Sequence, residues 1–265
     1  MLGLGISVTT GGVSSELWTP ASLSNLTLWL KVNQNITADQ ASDNSSITHS
    51  TAASNMADGD KINAWNAFGD TTINAVQTTQ ADKPFWETDA ADIGGIKLHN
   101  AIKFMDLSAN VVLDANKNFT IAIRFKCTDF GSSRGLMGSA ATEFLRFQDN
   151  ATLRAKVNNV NRDFALDGLT MSTDQYFTLL VVRNAGATGN INVFIRGNES
   201  LDDTATGTQI GEQIADAGEI TISDLGVTND EAGNFKGFFK DVLIWNGTAA
   251  GPSDRKEIFD YIEGQ

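Results

Sequence analysis

Carboxylates are the most numerous ionisable groups in this chain, with 32 Asp and Glu among 265 residues. Retaining cleavage of a glycosidic bond needs two carboxyl groups about 5 Å apart on one face of a sheet. The run Glu219 Ile220 Thr221 Ile222 Ser223 Asp224 comes nearest to supplying them, but it puts one carboxylate on each pleat face and has no third member. His49 sits in a Ser/Thr-rich stretch and His99 beside Gly94 Gly95. Two isolated imidazoles, with neither Cys nor paired carboxylates nearby, do not make a zinc site. No Gly-rich phosphate cradle and no Ser-His-Asp arrangement emerges. The expectation is a protein that binds or builds and is not an enzyme.

Hard oxygen ligands suit Ca²⁺, and two clusters could offer them: Asp58 with Asp60, and Asn229, Asp230 and Glu231. Both stand in turn-forming sequence, where Asp and Asn occur for conformational reasons. No cofactor is therefore expected, with Ca²⁺ the one metal the chain could hold. Among aromatics, Phe85 and Trp86 follow Pro84 and read as an exposed platform for a sugar face. Trp18, Trp29, Trp65 and Trp245 read as packing residues. The sequons at Asn25, Asn35, Asn118 and Asn246 read as by-products of an Asn- and Thr-rich composition.

Nineteen Lys and Arg against those carboxylates leave a net charge of -13 and a pI near 4.5. Basic residues form no run or stripe, so phosphate backbones are repelled and nucleic-acid binding is not expected. No apolar stretch is long enough to cross a bilayer, and membrane insertion is not expected either. Residues 1–16 lack the basic start and apolar stretch of a secretion signal and read as a flexible or docking arm. Cys127 is the only cysteine, and its place in an alternating segment makes it a small core residue.

The elements that must position any site are strands. Leu26, Leu28 and Leu30 alternate, as do Ile121, Ile123 and Phe125, and Ile191, Val193 and Ile195 with Asn192, Phe194 and Arg196 between them. Residues 177–182 are apolar but for Thr178, as in a central strand, and 144–147, 153–157 and 238–245 complete the set. Residues 176–183 and 190–196, separated by Thr188 Gly189 Asn190, read as a hairpin. Turns fall at Asp58 Gly59, Asp167 Gly168 and Asn246 Gly247. With 24 Gly and 3 Pro the chain bends mainly through glycine. Residues 38–56 read as a polar loop. Near the C-terminus, Ser253 or Asp254 can cap a helix whose Ile258, Tyr261 and Ile262 form one apolar stripe. Residues 17–265 read as a single all-β domain.

Trp18 Thr19 Pro20, Leu26 Thr27 Leu28 Trp29 Leu30, 58–66 with Trp65, Gln77 and Lys83 Pro84, and then 235–246 with the helix at 254–262, follow one another in an order that resembles the laminin-G-like, concanavalin A-like jelly rolls of bacterial and phage proteins. The resemblance implies a β-sandwich of two antiparallel sheets with a short C-terminal helix covering an open end. Gly237 then allows close backbone approach beside a sheet. Asn66 Ala67 Phe68 Gly69 stands where that family often has Asp and a Ser-Gly pair, which weakens transfer of a metal or ligand role to this loop. The family includes lectins, glycosidases and capsid parts, so fold alone does not choose a function. The resemblance implies a structural component of a phage virion, such as a capsid decoration, neck or tail protein, located in the particle and contacting other virion proteins or copies of itself. The alternative is a carbohydrate-binding adhesion module, possible with Ca²⁺, at the cell surface or outside it and contacting host-surface glycans.

Overall fold

A computed structural model describes residues 18–264 apart from 33, 41–45, 50–55, 89–93, 99–103, 132, 141–142, 158, 167–170, 174, 186–188, 198–206, 215–217 and 227–233. A short 3-10 turn at Pro20–Ser22 precedes the strands β1 (Leu26–Lys31), β2 (Ile36–Asp39), β3 (Ser46–His49), β4 (Lys61–Trp65), β5 (Ala75–Val76) and β6 (Phe85–Glu87). Next come β7 (Gly95–Leu98), β8 (Met105–Leu113), β9 (Phe119–Cys127), β10 (Arg134–Ala140), β11 (Glu143–Phe147) and β12 (Thr152–Val157). The last are β13 (Val160–Ala165), β14 (Phe177–Asn184), β15 (Asn190–Gly197), β16 (Thr208–Ile214), β17 (Ile220–Leu225) and β18 (Gly237–Asn246), followed by the helix α1 (Pro252–Glu263).

The strand ladders are antiparallel and form two layers. One runs β1-β18-β9-β14-β15-β16. The other runs β8-β17-β10-β11-β12-β13. Strands β2 to β7 join them around one side, with β7 pairing to β18 and β5 to β8. The expected two-sheet sandwich is what the ladders build.

Alternation fills the interior. Ile121, Ile123, Phe125 and Cys127 of β9 and Leu179 and Val181 of β14 meet Met137, Leu145, Phe147, Ile220 and Ile222 of the second layer in one buried cluster. The opposite face of the first layer is also buried. There Trp29, Ala122, Leu180, Val182, Phe194, Leu243 and Trp245 pack against Ile258, Phe259 and Ile262 of α1. This corrects the expected role of the helix, which covers the outer face of the first layer and not an open end. Burial on both faces also explains why residues 177–182 carry no polar alternation.

Two further differences concern boundaries. The stretch expected as a polar loop, 38–56, holds the end of β2 and all of β3, which pair with each other from Ile36 opposite His49 to Asp39 opposite Ser46. Its Ser and Thr residues sit in a backbone ladder that is indifferent to side-chain polarity, and Ile36 and Ala38 turn inward. Helix α1 is capped by Gly251 rather than by Ser253 or Asp254. Pro252 takes the first helical position, where its missing amide costs nothing, and the Asp254 carboxylate accepts the Gly251 N–H at 3.0 Å.

Candidate functional site

A polar concavity of about 340 Å³ opens on the outer face of the first layer, beside the start of α1. Strand register builds its floor. Val182 of β14, Asn192 of β15 and Glu212 of β16 stand opposite one another in one cross-strand row. Leu180, Phe194 and Gln209 form the next. Asn184, at the end of β14, and the 249–252 turn close one side, and Arg255 forms the wall above.

The polar groups are preorganised. Gln209 Nε2 donates to Asn192 Oδ1 at 2.8 Å, and Asn190 Nδ2 donates to Glu212 Oε1 at 2.5 Å. The Arg255 guanidinium lies over the Phe194 ring, 3.9 Å from its centroid. Burial lowers the pKa of this arginine, against the opposing charge of Asp254. The site thus presents side-chain amides that both donate and accept, one carboxylate that only accepts when ionised, and one cation that only donates.

The residues singled out from sequence lie elsewhere. Trp86, on β6, is fully buried in the interlayer core. Gly94 packs so closely on it that an added Cβ would come within 2.9 Å of the indole ring. An enclosed indole has no face to offer a sugar, so Phe85 and Trp86 do not form the expected platform. Phe85 is itself half-buried, and its backbone pairs with Lys61 and Lys97.

Asp58 accepts hydrogen bonds from the Thr88 hydroxyl and from the Thr88 amide, the latter at 2.7 Å, and these hold its carboxyl below the usual range. Asp60 is buried and accepts the Ala57 amide at 2.8 Å. Both carboxylates therefore brace the turn that carries Gly59, whose φ is +91°. Asn229, Asp230 and Glu231 lie outside the described residues, as does His99, while His49 is on β3. Among the described residues no three of His, Cys, Asp and Glu cluster closely enough to hold a metal ion.

Reading single strands also missed a carboxylate pair. Asp224 of β17 stands directly opposite Asp106 of β8. Burial and the hydrogen bond with Asp106 push the Asp224 carboxyl up to about 6. Two carboxyls in hydrogen-bonding contact lack the roughly 5 Å gap of a retaining glycosidase pair. The pocket residues were missed for a similar reason. Asn192 and Phe194 were legible as the outward members of β15, but Gln209 and Glu212 belong to a strand of weak alternation, and Arg255 arrives from the helix.

No curated protein matches this chain. Solved structures do. A GH54 α-L-arabinofuranosidase soaked with a cyclic sulfate inhibitor superposes with a TM-score of 0.57 at 10% identity, over 88% of this chain and 59% of that one. The CBM40 of the Ruminococcus gnavus IT-sialidase, bound to α2,3-sialyllactose, gives a TM-score of 0.42 at 10% identity over 62% of this chain and 95% of that one. A heptameric SAP-like pentraxin from Limulus polyphemus gives 0.40 at 14% identity, over 55% and 70%. At 10% identity the arabinofuranosidase shows a likeness of fold alone. A family profile matches residues 100–251, more than half of the chain, and with the two-layer sandwich this places the protein in the concanavalin A-like lectin/glucanases superfamily.

Proposed function

We propose that this protein is a non-catalytic glycan-binding module whose sugar site is the pocket over β14, β15 and β16. The observation that carries the reading is the set Asn184, Asn192, Gln209 and Glu212 around one concavity of about 340 Å³, within the usual range of small-ligand pockets of roughly 300–1,000 Å³. Sugar hydroxyls both donate and accept, and side-chain amides answer both functions. Because the side chains stand on paired strands and Asn192, Gln209 and Glu212 are already hydrogen-bonded to neighbours, little ordering remains to be done on binding.

A glycan array probed with the purified protein, with and without Ca²⁺, tests the proposal. Binding that is lost in Asn192→Ala and Gln209→Ala variants of unchanged melting temperature supports it. Absence of binding to any glycan, or binding indifferent to both substitutions, overturns it. The proposal concerns glycan binding alone and does not draw on the virion role that the resemblance implies.

A further inference from the structure

Arg255, in the wall of this pocket, meets its surroundings differently from five other arginines of the chain. Arg124, Arg134, Arg154 and Arg196 each meet a carboxylate within 4 Å: Glu263, Asp129, Asp163 and Asp260. Arg183 is buried and donates to the main-chain carbonyls of Lys117 and Gly218 at 2.8 and 2.9 Å. Arg255 has neither kind of partner set. Among the described residues it forms no ion pair, its Nη1 makes a single long contact of 3.5 Å to the Ala250 carbonyl, and its buried Nε has no partner. The nearby Asp254 carboxylate is engaged with the Gly251 amide.

A guanidinium held over an aromatic ring is restrained in orientation while its charge stays unspent. Here it forms the wall of a cavity whose remaining polar lining suits hydroxyl groups. The one carboxylate in that lining, Glu212, stands a cross-strand row away from Phe194 and Arg255, about 7 Å along the strands, and already accepts from Asn190. The pocket is therefore polarised, with a donor-only end at Arg255 and an acceptor end at Glu212.

Resting on the glycan reading above, we infer that the pocket selects carboxylate-bearing sugars, with the sugar carboxylate on Arg255 and a hydroxyl donating to Glu212. A charge-assisted bond of this kind favours the acidic sugar over its neutral counterpart by about tenfold or more.

The test is an array carrying matched neutral, carboxylated and sulfated glycans, for example glucosides beside glucuronides and sulfated glucosides, probed with the wild type, Arg255→Gln and Arg255→Lys. Melting temperature and near-UV circular dichroism verify that the variants fold. The expected result is about a tenfold or greater preference for the carboxylated members, which collapses in Arg255→Gln and is partly kept in Arg255→Lys. Equal binding of neutral and carboxylated glycans, a preference unchanged in Arg255→Gln, or preferential binding of the sulfated members overturns this inference and leaves the glycan reading standing. Binding to no glycan at all overturns both.

Discussion

Asp106 and Asp224 face each other across the β8–β17 ladder, and the contact raises the Asp224 carboxyl, already penalised by burial, to about 6 against an ordinary 3.8. The folded chain thus holds this proton more tightly than the unfolded chain does. The resulting stabilisation is complete below the unfolded value near 4 and is lost as pH rises through about 6. Replacing Asp224 by Asn should raise the melting temperature at pH 7.5 by a few degrees, on the order of 1 kcal/mol, and flatten its decline between pH 4 and 6. Scanning fluorimetry across that range is the check, and an unchanged slope would refute the assignment.

A second carboxyl acts over a higher window. Asp241, fully buried in β18, is pushed up to about 7, chiefly by burial, against the opposing pull of Lys31, the Val32 amide, Arg124 and Lys240. Neither of its oxygens closes a hydrogen bond of good geometry. Lys31 and Arg124 reach from this site to Tyr261 and Glu263 of α1, so ionisation of Asp241 is felt beneath the helix. Its stabilising proton is present below the unfolded value near 4 and is lost as pH rises through 7. Asp241→Asn should stabilise the protein at pH 8 and have little effect at pH 4. The Asp224→Asn/Asp241→Asn double variant should then show the flattest stability profile between pH 4 and 8. Thermal melts of the three variants at those pH values decide the matter.

Phe259 anchors α1 from full burial beneath the Arg196 guanidinium. Phe259→Ala should cost about 3–5 kcal/mol, roughly 10 °C in melting temperature. Trp29 and Trp245 share its cluster, so their fluorescence should shift to the red as the helix loosens. A variant that melts within a degree or two of the wild type would contradict the docking described above.

Gly237 begins β18 with φ at +151°, and an added Cβ would lie 1.9 Å from the Lys126 carbonyl oxygen. That oxygen belongs to a paired strand and cannot retreat. Gly237→Ala should therefore yield little soluble protein. Gly251→Ala, whose Cβ would meet only Asp254 at an ordinary 3.5 Å, should express normally. Soluble yields of the two variants, measured side by side, test the contrast.

Cys127 is buried and hydrogen-bonds the Asp129 carbonyl at 3.3 Å, and burial pushes its thiol up to about 12. A thiol this seldom ionised is a poor nucleophile. Ellman's reagent should not titrate it in the native protein and should titrate one thiol in denaturant. Rapid labelling of the folded chain would contradict its placement.

Much of the sandwich was legible because period-two alternation is a local property. Ile121 to Cys127, the paired strands β14 and β15 and the closing strand β18 could each be read from a few neighbouring residues. β2, β3 and β16 could not, since their side chains are polar or only weakly alternating and the partner strand, distant in sequence, completes the ladder. Trp86 misled for the opposite reason: a large aromatic after a proline looks exposed until another segment, here Gly94, closes over it.

The sequence by itself determined the class of fold, the inward residues of the main strands, the acidic surface and the presence of a terminal helix, all of which follow from composition and short-range periodicity. Only the tertiary structure decided which face the helix covers, that Asp106 and Asp224 meet, and that Asn192, Gln209, Glu212 and Arg255 line one cavity. The physical reason is that a site is set by ladder register and by layer packing. These bring together residues tens of positions apart, and no local pattern of polarity records such neighbours.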